Sequence, residues 1–203
     1  MILQYYGKRE ANLAKMKKEI KLRKKIGTYI PQLGLHLMEN GFETEIVIQN
    51  PYILTVKDRG KSQKLLLKQI KKVYAAYKRK KKKSRSRLDS LEYFIEYLEK
   101  GGKVKVKVPD EEDIKTEARA GRPLIAAMTN WFMLSGEPFF NGHFVIVRGI
   151  DKKYVYVNDP IKEPDADVKS RYPIKDFFFG MYANSYGDPD NGSFLLIRKR
   201  TKA

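Results

Sequence analysis

Two apolar segments in the C-terminal half of the chain predict a β-hairpin. One runs from Phe144 to Val147 and the other from Tyr154 to Val157, and both are rich in β-branched and aromatic residues. A polar turn at 151–153 joins them, and Asn-Asp-Pro at 158–160 ends the second. Because hairpin strands are antiparallel, we expect the start of the first strand to lie beside the end of the second.

The N-terminal half is mainly helical in its pattern. Apolar residues recur every three or four positions, and this spacing predicts helices at 8–25 and 32–39 and two more within 61–100. The stretch Ser86-Arg87-Leu88-Asp89 is expected to cap the last of these. Alternation predicts strands at 42–48 and 103–108, and the lysines of the second strand would face water at a sheet edge.

The remaining segments complete a mixed pattern. Short helices are expected at 110–120 and 172–179, and strands at 121–128 and 193–198. The sequence therefore predicts an α+β fold in a single domain spanning 1–203. Its two parts would be a basic, mostly helical half (1–109) and a neutral, mostly β half (110–203).

Composition excludes several classes of protein. A hydrophobic content of 42% is typical of a globular protein, and no apolar run approaches the ~20 residues needed to span a bilayer. We therefore predict that the protein is not an integral membrane protein, and with no visible signal peptide we expect it to be cytoplasmic. The absence of cysteine excludes disulfides and thiolate metal sites, and with only two histidines we predict no metal or cofactor.

The net charge of +18 is confined to the N-terminal half. Residues 1–109 hold 28 Lys and Arg against 10 Asp and Glu, whereas residues 110–203 hold 14 of each. A dense run is expected to form a solvated helix end and loop; its cations are Lys78, Arg79, Lys80, Lys81, Lys82, Lys83, Arg85 and Arg87. One possible function is therefore a non-catalytic module that holds a polyanion (nucleic acid, a membrane surface or an acidic protein) without sequence specificity.

Two residues with catalytic potential lie at the meeting ends of the hairpin. His143 opens the first strand, and Asp159 follows the second. A carboxylate beside an imidazole fixes its tautomer and stabilises its charge, as in a Cys-His-Asp arrangement. We predict both as catalytic residues, with Asp159 holding Nδ1 and Nε2 facing an open position. The alternative is that His143 is an ordinary polar residue at a strand edge and that Asp159 belongs to an ordinary turn. The other histidine, His36, is predicted to be structural.

Three short motifs give this region a family resemblance. They are Gly142-His143, Gly149-Ile150-Asp151 and Asn158-Asp159-Pro160. Together with the strand at 121–128, they resemble the papain-like bacteriocin-processing peptidases, which are double-glycine leader peptidase domains of export transporters and their stand-alone relatives. The resemblance implies a papain-like cysteine peptidase fold, with an antiparallel sheet packed against N-terminal helices, and a peptide or protein substrate.

The resemblance also implies a nucleophilic cysteine, which none of the 203 residues supplies. In the family this cysteine begins the central helix, whose end matches Tyr5-Tyr6-Gly7 here, about two turns further on. A glutamine just before it usually binds the oxyanion. We therefore expect the chain as given to be inactive. Either the natural start lies upstream, with a cysteine about seven residues before Met1, or the chain is a pseudoenzyme.

Overall fold

A seven-stranded sheet lies at the centre of the computed structural model, which describes residues 1–7, 13–20, 27–82, 84–134, 136, 139–160 and 169–200. The strands are β1 (Phe42–Ile48), β2 (Lys103–Val106), β3 (Leu124–Met128), β4 (His143–Ile150), β5 (Tyr154–Asn158), β6 (Lys169–Pro173) and β7 (Phe194–Lys199). Their order is β2-β1-β7-β3-β4-β5-β6. The β1–β2 edge pair is parallel, and every other neighbouring pair in this sheet is antiparallel. The expected antiparallel sheet is therefore confirmed, apart from this edge.

Helices cover both faces of the sheet. They are α1 (Ile2–Tyr5), α2 (Leu13–Glu19), α3 (Ile30–Glu39), α4 (Gln63–Lys78), α5 (Arg85–Glu99), α6 (Glu111–Arg119), α7 (Trp131–Leu134) and α8 (Ile174–Asn184), with a 3₁₀ turn at Val56–Asp58. None of the helices in the described ranges is long and apolar enough to cross a membrane.

The alternation of side chains along the strands creates two cores. In β4, Phe144 and Ile146 face the core formed with α1, α3, α4 and α5. Val145 and Val147 face the other core, which is formed with α6 and α8 and contains Phe177. All five residues of β3 are buried because helices cover both of its faces. The sheet is thus held between two helical layers, and this fixes the ends of β3, β4 and β5 relative to one another.

The helices α4 and α5 form an antiparallel hairpin that carries the basic run at its end. Ser84 caps α5 by accepting a hydrogen bond from the Arg87 N–H. The predicted cap at Ser86 is therefore wrong, because α5 begins earlier and Ser86 lies inside its first turn. The residues from Lys78 to Lys82 are exposed, and Lys83 lies outside the described residues. We call residues 78–87 the basic tip.

Several elements differ from the predicted ones. Of the expected helix at 8–25, the structure describes 13–20, and the rest lies outside the described residues. The strand β6 and the short helix α7 were not predicted. Residues 172–173 end β6, so α8 begins at Ile174 and extends to Asn184. The predicted edge strand is confirmed as β2, which is shorter than expected, with Lys103 and Lys105 exposed.

Candidate active site

The structure brings His143 and Asp159 into direct contact. Nε2 of His143 lies 2.7 Å from Oδ1 of Asp159. The Asp159 side chain is buried, with 4% of its surface exposed, and that of His143 is 13% exposed. At this distance the carboxylate accepts a hydrogen bond from the ring and fixes its orientation. The two ends of the hairpin therefore meet as the antiparallel pairing requires.

The nitrogen that makes this contact is the opposite of the one predicted. Asp159 engages Nε2, so Nδ1 of His143 is left for another partner. Within the described residues, no hydrogen bond reaches Nδ1. An imidazole that donates from Nε2 to a carboxylate is unprotonated on Nδ1 when neutral, so Nδ1 can accept a proton there. Nδ1 is therefore the ring nitrogen left open to take up a proton.

A β-bulge in β4 places the two side chains on the same face of the sheet. Asn158 lies opposite Ile146, but the register changes by one between 147 and 149, where Arg148 is the extra residue. Opposite residues share a face, and successive residues alternate. Asp159 and His143 therefore both face away from Ile146. Without the bulge, the register next to the turn would continue along both strands. Asp159 would then lie opposite Ile146 and face away from His143.

Buried side chains orient Asp159 from behind. Its Oδ2 accepts hydrogen bonds from Nδ2 of Asn130 at 2.6 Å and from the hydroxyl of Tyr172 at 2.9 Å. Asn130 is fully buried and Tyr172 is 5% exposed. Burial, together with the Asp159 charge, raises the pKa of Tyr172, so the hydroxyl remains a donor. The carboxylate that orients His143 is therefore itself held in place by two hydrogen bonds.

A second layer of hydrogen bonds holds Asn130. Nδ2 of Asn141 donates to Oδ1 of Asn130 at 3.4 Å, and Oδ1 of Asn141 accepts from the Trp131 N–H at 3.2 Å. In the sequence, the only signal for Asn130 is its position just after β3. Because Met128 lies opposite His143, residues just after β3 must be near the site. Tyr172 carried no such signal, because the pattern around it predicts a helix.

His143 lines a cleft of about 260 Å³. Its walls come from the segment before α3, the start of β4 and the loop before β7: Gly27, Thr28, Tyr29, Gly142, His143, Phe144, Asp188 and Asn191. The imidazole is thus accessible at the edge of a mixed polar and apolar cleft, where a substrate could approach it.

Side-chain hydrogen bonds connect the loop before β7 to α3 and α5. Oδ2 of Asp190 accepts from the Ile30 N–H at 2.7 Å, and Oδ1 accepts from the Ser90 hydroxyl at 2.7 Å. Burial raises the pKa of Asp190 to about 6. The neighbouring Asp188 accepts a hydrogen bond from the Ser86 hydroxyl. These contacts fix one wall of the cleft against α3 and α5.

An apolar groove of about 280 Å³ lies next to the site, and we call it the α1 groove. Its lining joins α1, α2 and α3 to the start of β4: Met1, Ile2, Leu3, Met16, Ile20, Leu33, His36, Leu37, Ile125, Phe144, Val145, Ile146 and Pro160. Phe144 and Pro160 are the chain neighbours of His143 and Asp159. The groove therefore reaches the chain positions next to His143 and Asp159, but neither of these two residues lines it.

The second histidine lies apart from this pair. His36 is buried in α3, and its Nδ1 lies 3.5 Å from Oε2 of Glu19. Burial lowers the pKa of His36, which favours the neutral ring. Across the described ranges, no group of three or more Asp, Glu or His side chains could hold a metal ion.

The sequence comparison decides the family. The model of the Peptidase_C39 like family matches residues 1–189. The chain belongs to the Peptidase_C39-like family. Its α+β architecture is thus that of a papain-like peptidase relative, as the hairpin motifs suggested. No curated protein matches the chain. The matched range of this C39-like chain contains both His143 and Asp159.

Proposed function

We propose that His143 and Asp159 are the base and its orienting carboxylate in a cysteine-peptidase type of site. The observation that carries the proposal is the Nε2···Oδ1 contact of 2.7 Å at the edge of a cleft. In such a site Nδ1 takes the proton of a thiol, and the thiolate attacks a peptide carbonyl. The imidazolium then returns the proton to the leaving amine, and Asp159 stabilises the ring while it is charged.

The 203 residues lack the thiol that this chemistry requires. Thioester formation needs a sulfur nucleophile, and Ser or Thr would need the same base within hydrogen-bond reach. No serine or threonine of the described residues is hydrogen-bonded to His143. We therefore propose that the chain in this form does not cleave peptides and retains the base half of the site.

The α1 groove supports a specific way to complete the site. α1 is only four residues long, and the groove runs from Met1 to the neighbours of His143 and Asp159. A helix continued seven residues ahead of Met1 would advance about 10 Å along its axis. A cysteine at the start of that helix would gain from the helix dipole and from the adjacent imidazolium, both of which stabilise thiolate.

An N-terminal helical extension carrying one cysteine tests this proposal. With the cysteine about seven residues ahead of Met1, the thiol should alkylate with iodoacetamide faster than free cysteine near neutral pH. The matched control places the cysteine two residues closer to Met1, where a helix turns it by about 200°. His143→Ala should slow the first protein to the rate of the control. Equal rates in all three proteins would contradict the proposal.

The second candidate function is polyanion binding without catalysis. It is favoured by the exposure of the cations from Lys78 to Lys82 at the basic tip. Binding of this kind should weaken steeply as salt rises, because the release of counterions from the anion then contributes less. Heparin and unrelated DNA duplexes, titrated at two salt concentrations, provide the test. Undetectable binding at low salt, or binding insensitive to salt, would contradict this function.

A further inference from the structure

The basic tip holds a cluster of cations that no carboxylate of the described residues neutralises. Lys78, Arg79, Lys80, Lys81 and Lys82 are all exposed, and none of them is paired with a carboxylate of the described residues. Cations on either side do have partners, since Lys71 lies 2.7 Å from Glu99 and Arg85 lies 2.8 Å from Asp89. Like charges on successive residues repel one another, so an external anion would stabilise this cluster.

One cation of the tip is held in an ordered position by aromatic rings. The guanidinium carbon of Arg87 lies 4.1 Å from the centre of the Tyr52 ring, and Nη1 donates to the Tyr77 hydroxyl at 3.1 Å. Lys80 contacts the same tyrosine, with its Nζ 4.6 Å from the centre of the Tyr77 ring. Stacked arginine keeps its charge and has donors to spare for a carboxylate.

The basic tip is joined directly to the wall of the His143 cleft. Ser86, in the first turn of α5, donates to Asp188 and lies 3.0 Å from the Tyr29 hydroxyl oxygen. Tyr29 and Asp188 both line the cleft. Arg87 is the chain neighbour of Ser86. A peptide extended beyond this wall at about 3.3 Å per residue needs only a few residues to reach the tip.

We propose that the basic tip docks an acidic segment of the peptide that lies in the His143 cleft. This inference rests on the proposed function, because it takes the occupant of the cleft to be a peptide. Glutamate or aspartate side chains of the ligand would pair with the exposed lysines and with Arg87. The tip thereby selects ligands that combine a neutral segment at the cleft with an acidic segment beyond it.

The position of the Asp188 carboxylate favours a peptide over a nucleic acid as the ligand. Asp188 lies between the cleft and the tip, so the row of cations ends at a carboxylate and does not continue into the site. A nucleic acid backbone carries evenly spaced phosphates and would meet this carboxylate, whereas a peptide can be neutral where it passes Asp188. We therefore expect the ligand to be neutral where it passes Asp188 and acidic where it meets the basic tip.

Fluorescence anisotropy on the 203-residue protein tests the docking. The probe is a labelled peptide with a neutral half and a glutamate-rich half, and its control has glutamine in place of every glutamate. Lys81→Gln/Lys82→Gln should weaken binding of the acidic peptide by about threefold to tenfold at low salt, since each exposed ion pair contributes modestly. The glutamine peptide should bind weakly to both proteins.

A charge-matched variant separates the tip from net charge. Lys152→Gln/Lys153→Gln removes the same charge from exposed residues at the β4–β5 turn, at the other end of β4 from His143. It should bind the acidic peptide as the unaltered protein does. Equal weakening by both double variants, or an affinity for a DNA duplex that exceeds that for the peptide, would overturn the proposal.

Photo-crosslinking connects the docked peptide to the cleft. A benzophenone at the neutral end of the acidic peptide should crosslink to cleft residues such as Tyr29 or Asn191, and Lys81→Gln/Lys82→Gln should reduce the yield. Crosslinks confined to surfaces away from the cleft would overturn the inference. Neither assay needs a thiol, so the two proposals can fail separately. The acidic peptide could fail to dock while His143 still activates an added cysteine, or it could dock although the added cysteine is not activated.

Discussion

Asp190 provides the clearest prediction about pH and stability. Its carboxylate is buried and joins the start of α3 to the loop that lines the cleft. In Asp190→Asn, the amide oxygen can still accept from the Ile30 N–H, and the amide NH₂ can donate to the Ser90 hydroxyl. The substitution therefore removes the ionisation and keeps the shape and the hydrogen bonds.

The size of the effect follows from the raised pKa of Asp190. Burial raises it from 3.8 to about 6, so the folded protein binds this proton more tightly than the unfolded chain. The stabilisation is full below the unfolded pKa and is lost as pH rises through about 6. A pKa difference of about 2 between the folded and unfolded states corresponds to about 3 kcal/mol. Above about pH 7 the buried charge costs the folded state this amount, whereas the neutral amide of Asp190→Asn avoids that cost.

Urea denaturation of both proteins between about pH 4 and pH 7 measures this difference. The unfolding free energy of Asp190→Asn, relative to the unaltered protein, should increase by about 2–3 kcal/mol across that range. Comparing the two proteins at each pH cancels the titration of all other groups. A difference that stays constant with pH would show that Asp190 titrates normally, and would refute the reasoning.

Two further substitutions test the support of the site. Tyr172→Phe removes a donor to Asp159 and should lower the unfolding free energy by about 1.5–3 kcal/mol, as measured by urea denaturation. Gly180→Ala would place a methyl group against the carbonyl oxygen of Thr129, and should lower the unfolding free energy by about 1–3 kcal/mol. Gly149→Ala is its control, because the added methyl group would meet no atom within 4 Å. A Gly180 variant as stable as this control would contradict the packing shown.

The regular elements could be predicted from the sequence because their periods are local properties. The apolar run of β4 is typical of a strand covered on both faces, and the helical spacing in α4 and α5 comes from sheltering one face of each helix from water. The meeting of the hairpin ends also follows from local pattern, since antiparallel strands joined by a short turn must return to the same edge. For this reason His143 and Asp159 could be nominated without a structure.

The remaining features depend on contacts between distant segments. Arg148 is the extra residue of the bulge, yet nothing in its neighbourhood distinguishes it from an ordinary strand residue. The choice of Nε2 follows from where the Asp159 carboxylate sits relative to the ring, which the bulge and Tyr172 determine. Asp190 looks like a turn residue in sequence, but it is buried against α3, which begins 160 positions earlier in the chain.

The protonation state of the His143 ring tests the account most directly. The chain has two histidines, so nitrogen-15 NMR of the imidazoles gives two sets of signals, and His36→Gln assigns them. At alkaline pH, where the ring is neutral, we expect the proton of His143 on Nε2, facing Asp159, and an unprotonated Nδ1. Asp159→Ala should remove this preference. A proton on Nδ1 in the unaltered protein would contradict the assignment of Nδ1 as the base.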